Sequence, residues 1–168
     1  LQERFPETDT IGQRAGDIQL LQGDINSALD VWQKGSSGSE MPFMRGKRYF
    51  YAEEYYESIA WLDIAVQIIP PRPEAWYYLA LAWSESGDIA QAKQSIVELY
   101  DRTGDLGQPF NDSAFHSTYY LSLARIMQTE ADRDDLRYSI TLLDRALESN
   151  SFRHPQDRIR SLYWQGDA

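Results

Sequence analysis

The sequence predicts an all-α fold in which helix pairs stack on one another. The first observation is that small, large and turn residues recur at an offset of 34 positions: Gly46 and Ala80, Tyr49 and Trp83, Tyr55 and Ile89, Leu62 and Ile96, Ala65 and Leu99, Pro70 and Gly104. The second is a pair of identical Gly-Asp-Ile turn signals, at 23–25 and 87–89. A period of this length is typical of helix–turn–helix repeats.

Composition supports one globular domain over residues 1–168 and excludes several functions. The chain has 42% apolar residues and no cysteine, which excludes disulfides, thiolate metal sites and cysteine nucleophiles. Sixteen basic against 26 acidic residues give a net charge of −10, which disfavours nucleic acid and anionic lipid as partners. No apolar run is long enough for direct membrane insertion. Because the chain starts at Leu1 without an initiator Met, we expect a fragment of a larger protein, whose compartment stays open.

Repeat 1 is predicted over about residues 9–35 and repeat 2 over about 41–70. Repeat 1 contains Gly16, the turn at 23–25, and Trp32, and a Gly- and Ser-rich linker follows at 35–39. Repeat 2 matches better in its second helix, and its turn has Glu53 where glycine is usual. The spacing from Gly16 to Gly46 is 30, so we expect the connection between these repeats to be shorter or differently folded.

Repeat 3, over about residues 73–104, has the clearest pattern. We predict a first helix from Pro73 or Glu74 to about Ser86 and a second from Ile89 to about Arg102. Gly87 is expected to end the first helix with a positive φ.

Repeat 4, over about residues 112–150, is irregular. A linker at 105–112 precedes it, and Asn111, Asp112 and Ser113 are N-cap candidates; the same triplet fits a glycosylation acceptor in a secreted eukaryotic protein. Extra residues lengthen its turn around 130–135, where the acidic residues suit either a helix N-cap or a calcium site. A terminal helix is predicted over 155–166.

Close packing explains the small residues. We expect Gly16, Gly46, Ala80 and Ala124 on the first helices to face Ala28, Ser58, Ala92 and Ser139 on the second. This allows the helix axes to approach to the lower end of about 8–10 Å. Larger side chains then fill the space to the next repeat: Trp32, Leu62, Ile96 and Leu143.

These patterns resemble the tetratricopeptide repeat family over about residues 9–166, most strongly over 42–104. The resemblance implies a right-handed superhelix whose first helices line a concave groove that binds peptides or helices of partner proteins. The matching groove positions are Phe43, Lys47, Phe50 and Tyr51, then Tyr77, Leu81, Ser84 and Glu85, then Leu121, Arg125, Gln128 and Thr129. The basic clamp that some members use for acidic carboxy-terminal peptides is absent, since its positions hold Gln13, Asp17, Met44, Glu74 and Tyr78.

Two interpretations of the groove residues stay open. The aromatic side chains are expected either to anchor a peptide or to pack between repeats: Phe43, Phe50, Tyr51, Tyr77, Tyr78 and Tyr120. The basic residues Arg45, Lys47 and Arg48 are expected to be solvated or paired with Glu53 and Glu54.

The sequence therefore predicts a non-catalytic protein-binding scaffold that needs no cofactor or metal. Its two histidines, His116 and His154, belong to separate elements and match no catalytic motif. The alternative is an accessory domain of a larger enzyme or membrane-anchored protein, with a docking or positioning role. We also expect weak self-association through exposed ends of the stack.

Overall fold

The protein is all-α over the residues that the structure describes. The computed structural model describes residues 6–34, 40–68, 72–103 and 116–167. Within these ranges the chain forms nine helices: α1 (Pro6–Leu21), α2 (Ile25–Lys34), α3 (Met41–Tyr51), α4 (Tyr55–Ala65), α5 (Pro73–Glu85), α6 (Ile89–Thr103), α7 (His116–Gln128), α8 (Arg133–Ser149) and α9 (Pro155–Asp167). The linkers expected at 35–39 and 105–112, with the N-cap candidates at 111–113, lie outside the described residues.

The predicted helices of repeat 3 and the terminal helix are confirmed to within a residue or two. α5 ends one residue before the predicted end, α6 ends one residue after it, and α9 covers the predicted 155–166. The two helices of repeat 3 are separated by a turn at Gly87 and Asp88, as the Gly-Asp signal indicates.

The chain divides into two compact units, an N-terminal unit (Leu1–Tyr78) and a C-terminal unit (Leu79–Ala168). In the N-terminal unit α1 packs on α2, and α3 packs on α4. In the C-terminal unit α7 packs on α8, α8 on α9, and α6 on α7. The expectation of a single domain over 1–168 stays a prediction.

Three helix–helix turns share one geometry. In each turn, the residue two positions before the next helix has a positive φ: 81° at Gly23, 62° at Glu53 and 92° at Gly87. The following residue donates its backbone N–H to the carbonyl five positions earlier, at 2.9–3.0 Å: Asp24 to Gln19, Glu54 to Tyr49, and Asp88 to Trp83. This is the hydrogen bonding of a Schellman helix end. Glu53 thus adopts the conformation that glycine adopts at the two equivalent positions.

In these three turns, the residue after the left-handed position directly precedes the next helix. Asp24 accepts a hydrogen bond from the backbone N–H of Ser27 at 3.0 Å, and Asp88 accepts one from that of Gln91 at 3.1 Å. Glu54 makes no such side-chain bond. Aspartate at these positions satisfies backbone N–H groups that the first turn leaves unpaired, so it fixes where α2 and α6 begin.

Glycine allows the helices of the first two repeats to approach closely. A Cβ atom on Gly46 would lie 2.6 Å from Leu62 Cγ, and one on Gly16 would overlap the indole of Trp32. Ser58 Oγ also donates to the Gly46 carbonyl at 2.9 Å, which confirms that these two residues face each other.

Trp32 and Leu62, which were expected to fill the space to the next repeat, also pack within their own helix pairs. Both side chains are fully buried and lie directly on the glycine of their own helix pair. Trp32 also reaches the second pair, where its ring centroid lies 6.3 Å from that of Trp61. Bulky side chains on the second helix therefore account for the glycines on the first.

Within the described residues, no helix is both long and apolar enough to cross a membrane.

Candidate protein-binding surface

Predicted groove residues of repeats 3 and 4 line one cleft on the C-terminal unit. The cleft has a volume of about 400 Å³, and its walls come from α5 and α7: Leu81, Ser84 and Glu85, with Ser122, Arg125, Ile126 and Thr129. Five of these seven residues were predicted, and Ser122 and Ile126 were missed. Their positions on α7 complete an i, i+3, i+4, i+7 stripe with Arg125 and Thr129, which is the signal that would have found them.

The cleft combines an apolar base with charged edges. Ile126 is buried and Leu81 is partly buried, whereas Glu85 and Arg125 are exposed. Two hydroxyl groups of the cleft already donate to backbone carbonyls, Ser122 Oγ to that of Thr118 at 3.0 Å and Thr129 Oγ1 to that of Arg125 at 3.2 Å. The surface therefore offers apolar contact, one carboxylate, one guanidinium and hydroxyl oxygens that accept hydrogen bonds.

The other predicted groove residues of these repeats have different surroundings. Tyr77 and Leu121 are buried. Gln128 is partly buried, and its Nε2 lies 3.5 Å from the Trp164 carbonyl of α9. None of these three is among the residues lining the cleft.

The predicted groove residues of repeat 2 meet Tyr77 and Tyr78 in an aromatic cluster on the N-terminal unit. Tyr78 lies at its centre, with ring centroids 5.1–6.0 Å from those of Phe43, Phe50, Tyr51 and Tyr77. All four contacts have edge-to-face geometry, which is favourable between aromatic rings. The hydroxyl groups of Tyr51 and Tyr78 are hydrogen-bonded at 2.8 Å.

Burial separates packing residues from accessible ones in this cluster. Phe43, Tyr77 and Tyr78 are buried, whereas Tyr51 is 67% exposed and Phe50 is partly buried. Lys47 makes a cation–π contact with this cluster, because its Nζ lies 5.2 Å from the centre of the Tyr78 ring. This arrangement favours packing over peptide anchoring for the three buried rings, and it leaves Phe50 and Tyr51 as the accessible part. Tyr120, on α7, is buried as well.

Arg45 forms an ion pair that the sequence did not predict. Its guanidinium binds both carboxylate oxygens of Asp17 at 2.7 Å and lies 4.6 Å from the centre of the Trp61 ring. The expected pairing of Arg45 with Glu53 or Glu54 is therefore wrong, because its guanidinium is paired with a carboxylate of α1. Arg48 is exposed, in keeping with the solvated alternative.

The carboxylates of the acidic turn before α8 take part in helix capping and in ion pairs. Asp132 accepts from the backbone N–H groups of Asp134 and Asp135 in a capping box, and Asp135 binds Lys93 Nζ at 2.6 Å. Asp134 is paired with Arg137 at 3.0 Å. These contacts confirm the N-cap, and no cluster of three or more potential metal ligands occurs in the described ranges.

Hydrogen bonding lowers the pKa of two capping carboxyls. The backbone N–H groups of Asp135 and Asp134 hold the pKa of Asp132 below its usual value. The hydroxyl and then the backbone N–H of Ser27 do the same for the pKa of Asp24. Both carboxyls are consequently ionised in the folded state at neutral pH.

No protein-family model matches the chain, and no curated protein matches it. The resemblance to tetratricopeptide repeats therefore rests on the residue pattern, on the three equivalent turns and on the glycine contacts.

Proposed function

We propose that the chain is a tetratricopeptide-like right-handed α-solenoid of antiparallel helix pairs that serves as a non-catalytic protein-binding scaffold. The equivalent turns at Gly23, Glu53 and Gly87 support the repeat arrangement. The observation that carries the function is the cleft, because it is lined by the first helices of two consecutive repeats. First helices line the binding groove in the family that the sequence resembles.

The proposed ligand is a short segment of a partner protein. A volume of about 400 Å³ lies at the lower end of the range for specific ligand sites, about 300–1,000 Å³, and suits one or two side chains. An apolar side chain would contact Leu81 and Ile126, an acidic group would pair with Arg125, and a basic group would pair with Glu85. Charge pairs at such a rim contribute mainly to specificity and association rate.

A random peptide library displayed on phage tests this proposal. Selection on the wild-type chain is expected to enrich peptides that have an acidic residue beside an apolar one. Arg125→Glu is expected to lower the affinity for these peptides at least about tenfold, or by about 1.4 kcal/mol of binding free energy, as measured by titration calorimetry. Arg158→Glu is the matched control, since Arg158 is exposed on α9, is not among the residues lining the cleft and makes the same charge change.

Two outcomes would refute the proposal. The first is that selection enriches no peptide above background. The second is that enriched peptides bind the Arg125→Glu and Arg158→Glu variants with equal affinity, which would place binding outside the cleft.

A further inference from the structure

The cleft between α5 and α7 has one charge of each sign, on different walls. α5 carries two acidic side chains, Glu74 and Glu85, and of these Glu85 lines the cleft. Arg125 is the only basic residue of α7 besides His116, α7 has no acidic residue, and Arg125 lines the other wall. Both Glu85 and Arg125 are exposed. The cleft is therefore bipolar, with an apolar base and a charge of opposite sign on each helix.

The chain itself leaves both charges without a partner. Across the described ranges, neither Glu85 nor Arg125 forms an ion pair, whether with the other or with a third side chain. Other arginines do bind a carboxylate, as Arg137 binds Asp134 at 3.0 Å. Exposed ion pairs contribute little to stability, so the free protein loses little by keeping the two charges of the cleft apart. Both charges are therefore available to a ligand.

The length of the cleft limits the ligand segment that fills it. On α7 the lining residues extend from Ser122 to Thr129. A helix rises about 1.5 Å per residue, so this wall is about 10 Å long. An extended peptide advances about 3.3–3.6 Å per residue. About three ligand residues therefore lie along the wall.

We propose that the cleft selects a segment of about three residues in which an apolar residue stands between an acidic and a basic one. This inference rests on the proposed function and specifies its ligand. The apolar side chain contacts Leu81 and Ile126, the acidic one pairs with Arg125, and the basic one pairs with Glu85. A segment with two like charges would place one of them against a like charge of the cleft, which disfavours it.

Selection from a phage-displayed peptide library, on the wild type and on a charge-exchanged variant, tests the inference. The variant combines Glu85→Arg with Arg125→Glu, which keeps the net charge and the apolar base, and both replaced side chains are exposed. The wild type is expected to enrich peptides with one order of acidic and basic residues around an apolar residue. The charge-exchanged variant is expected to enrich the reverse order, because its two charges have changed places.

Titration calorimetry with the enriched peptides, made synthetically, measures the contribution of Glu85. Glu85→Arg alone is expected to lower the affinity for the peptide selected on the wild type about tenfold. The charge-exchanged variant is expected to bind the reversed peptide within about threefold of the wild type's affinity for its own peptide. Asp101→Arg is the matched control, since Asp101 is exposed on α6, does not line the cleft and undergoes the same change of charge. Circular dichroism checks that all variants stay helical.

Three results would overturn the inference, and two of them leave the proposed function standing. In the first, the enriched peptides lose affinity for Arg125→Glu but bind Glu85→Arg and Asp101→Arg equally well, so the cleft binds peptides without using Glu85. In the second, the charge-exchanged variant enriches the same order of charges as the wild type. In the third, no peptide is enriched above background, which overturns the proposed function as well.

Discussion

Gly46→Ala is expected to destabilise the N-terminal unit, although alanine is the better helix former. The added methyl carbon would lie 2.6 Å from Leu62 Cγ, 2.8 Å from its Cδ2 and 3.3 Å from its backbone nitrogen. Non-bonded carbon atoms prefer about 3.5–4.0 Å, so α3 and α4 must separate or Leu62 must leave its position. Neither change is easy, because Leu62 is fully buried and one of the three contacts is with backbone.

The expected loss of stability in Gly46→Ala follows from two opposing free-energy terms. Overpacking a buried site costs about 1–3 kcal/mol, and a contact this close belongs in the upper part of that range. The gain in helix propensity from glycine to alanine is about 1 kcal/mol. The free energy of unfolding should therefore fall by about 1–2 kcal/mol, which lowers Tm by about 2–4 °C per kcal/mol for a chain of this size.

Urea denaturation followed by circular dichroism measures this change, with Gly166→Ala as the matched control. Gly166 lies in α9, where an added Cβ would have no neighbour within 4 Å. Its replacement should be neutral or stabilise by up to about 1 kcal/mol.

A double-mutant cycle isolates the contact between Gly46 and Leu62. Leu62→Ala alone should cost about 2–5 kcal/mol. The double variant should lose less than the sum of the single variants, by at least about 0.5 kcal/mol, because the new methyl group occupies vacated space. A Gly46→Ala variant as stable as the wild type, or strictly additive costs in the double variant, would refute the steric conflict between Gly46 and Leu62.

Three further predictions concern other helices and turns. Ala80→Leu should cost about 1–3 kcal/mol in thermal unfolding, because Ala80 is fully buried; unchanged unfolding would contradict the predicted register. Glu53→Gly should stabilise by up to about 1 kcal/mol and Gly87→Ala should destabilise by about 1–2 kcal/mol, since both positions have positive φ; urea denaturation giving the same sign for both would contradict this. The pKa of Asp24 and of Asp132 is lowered on folding, so the stability they confer is present above their unfolded pKa, near about 3.9, and is lost as the pH falls below it. Replacing either by Asn, which keeps the hydrogen-bond acceptor, should flatten the fall in Tm between about pH 5 and about pH 2, and an unchanged slope would argue against the assigned caps.

The sequence predicted the local structure well where turn chemistry is explicit. Pro73 at the start of α5 and the Gly87-Asp88 signal at its end act within a few residues, so α5 and α6 were predicted almost to the residue. The left-handed conformation of Glu53 was harder to predict from the sequence, because glutamate has no preference for positive φ. Only the alignment of the turn with Gly87 pointed to it.

Contacts between distant parts of the chain were not predictable in the same way. Arg45 pairs with Asp17 across 28 residues, and Lys93 pairs with Asp135 across 42. Several acidic residues lie closer in sequence to each basic residue, and only the packing of the helices selects the partner. The family resemblance likewise assigned Tyr51 and Tyr77 to the same groove without distinguishing the exposed ring from the buried one.

Of the seven residues that line the candidate cleft, five were among the groove positions named from the sequence, and Ser122 and Ile126 were not. Leu81, Ser84, Glu85 and Arg125 came from the family pattern, which marks the positions that face a ligand. Ile126 did not, because an isoleucine at helical spacing is expected to be a core residue, and in this protein it is buried and also lines the cleft.

The most extensively packed helices are neighbours in the sequence, and this has a consequence for folding kinetics. α1 packs on α2, α3 on α4, α7 on α8 and α8 on α9, so each pair forms by closing a short loop. The entropy lost on loop closure is small, and low contact order is associated with folding in microseconds to milliseconds. Each pair is also able to begin folding by itself, so different molecules are expected to start from different pairs and to reach the folded state by parallel routes.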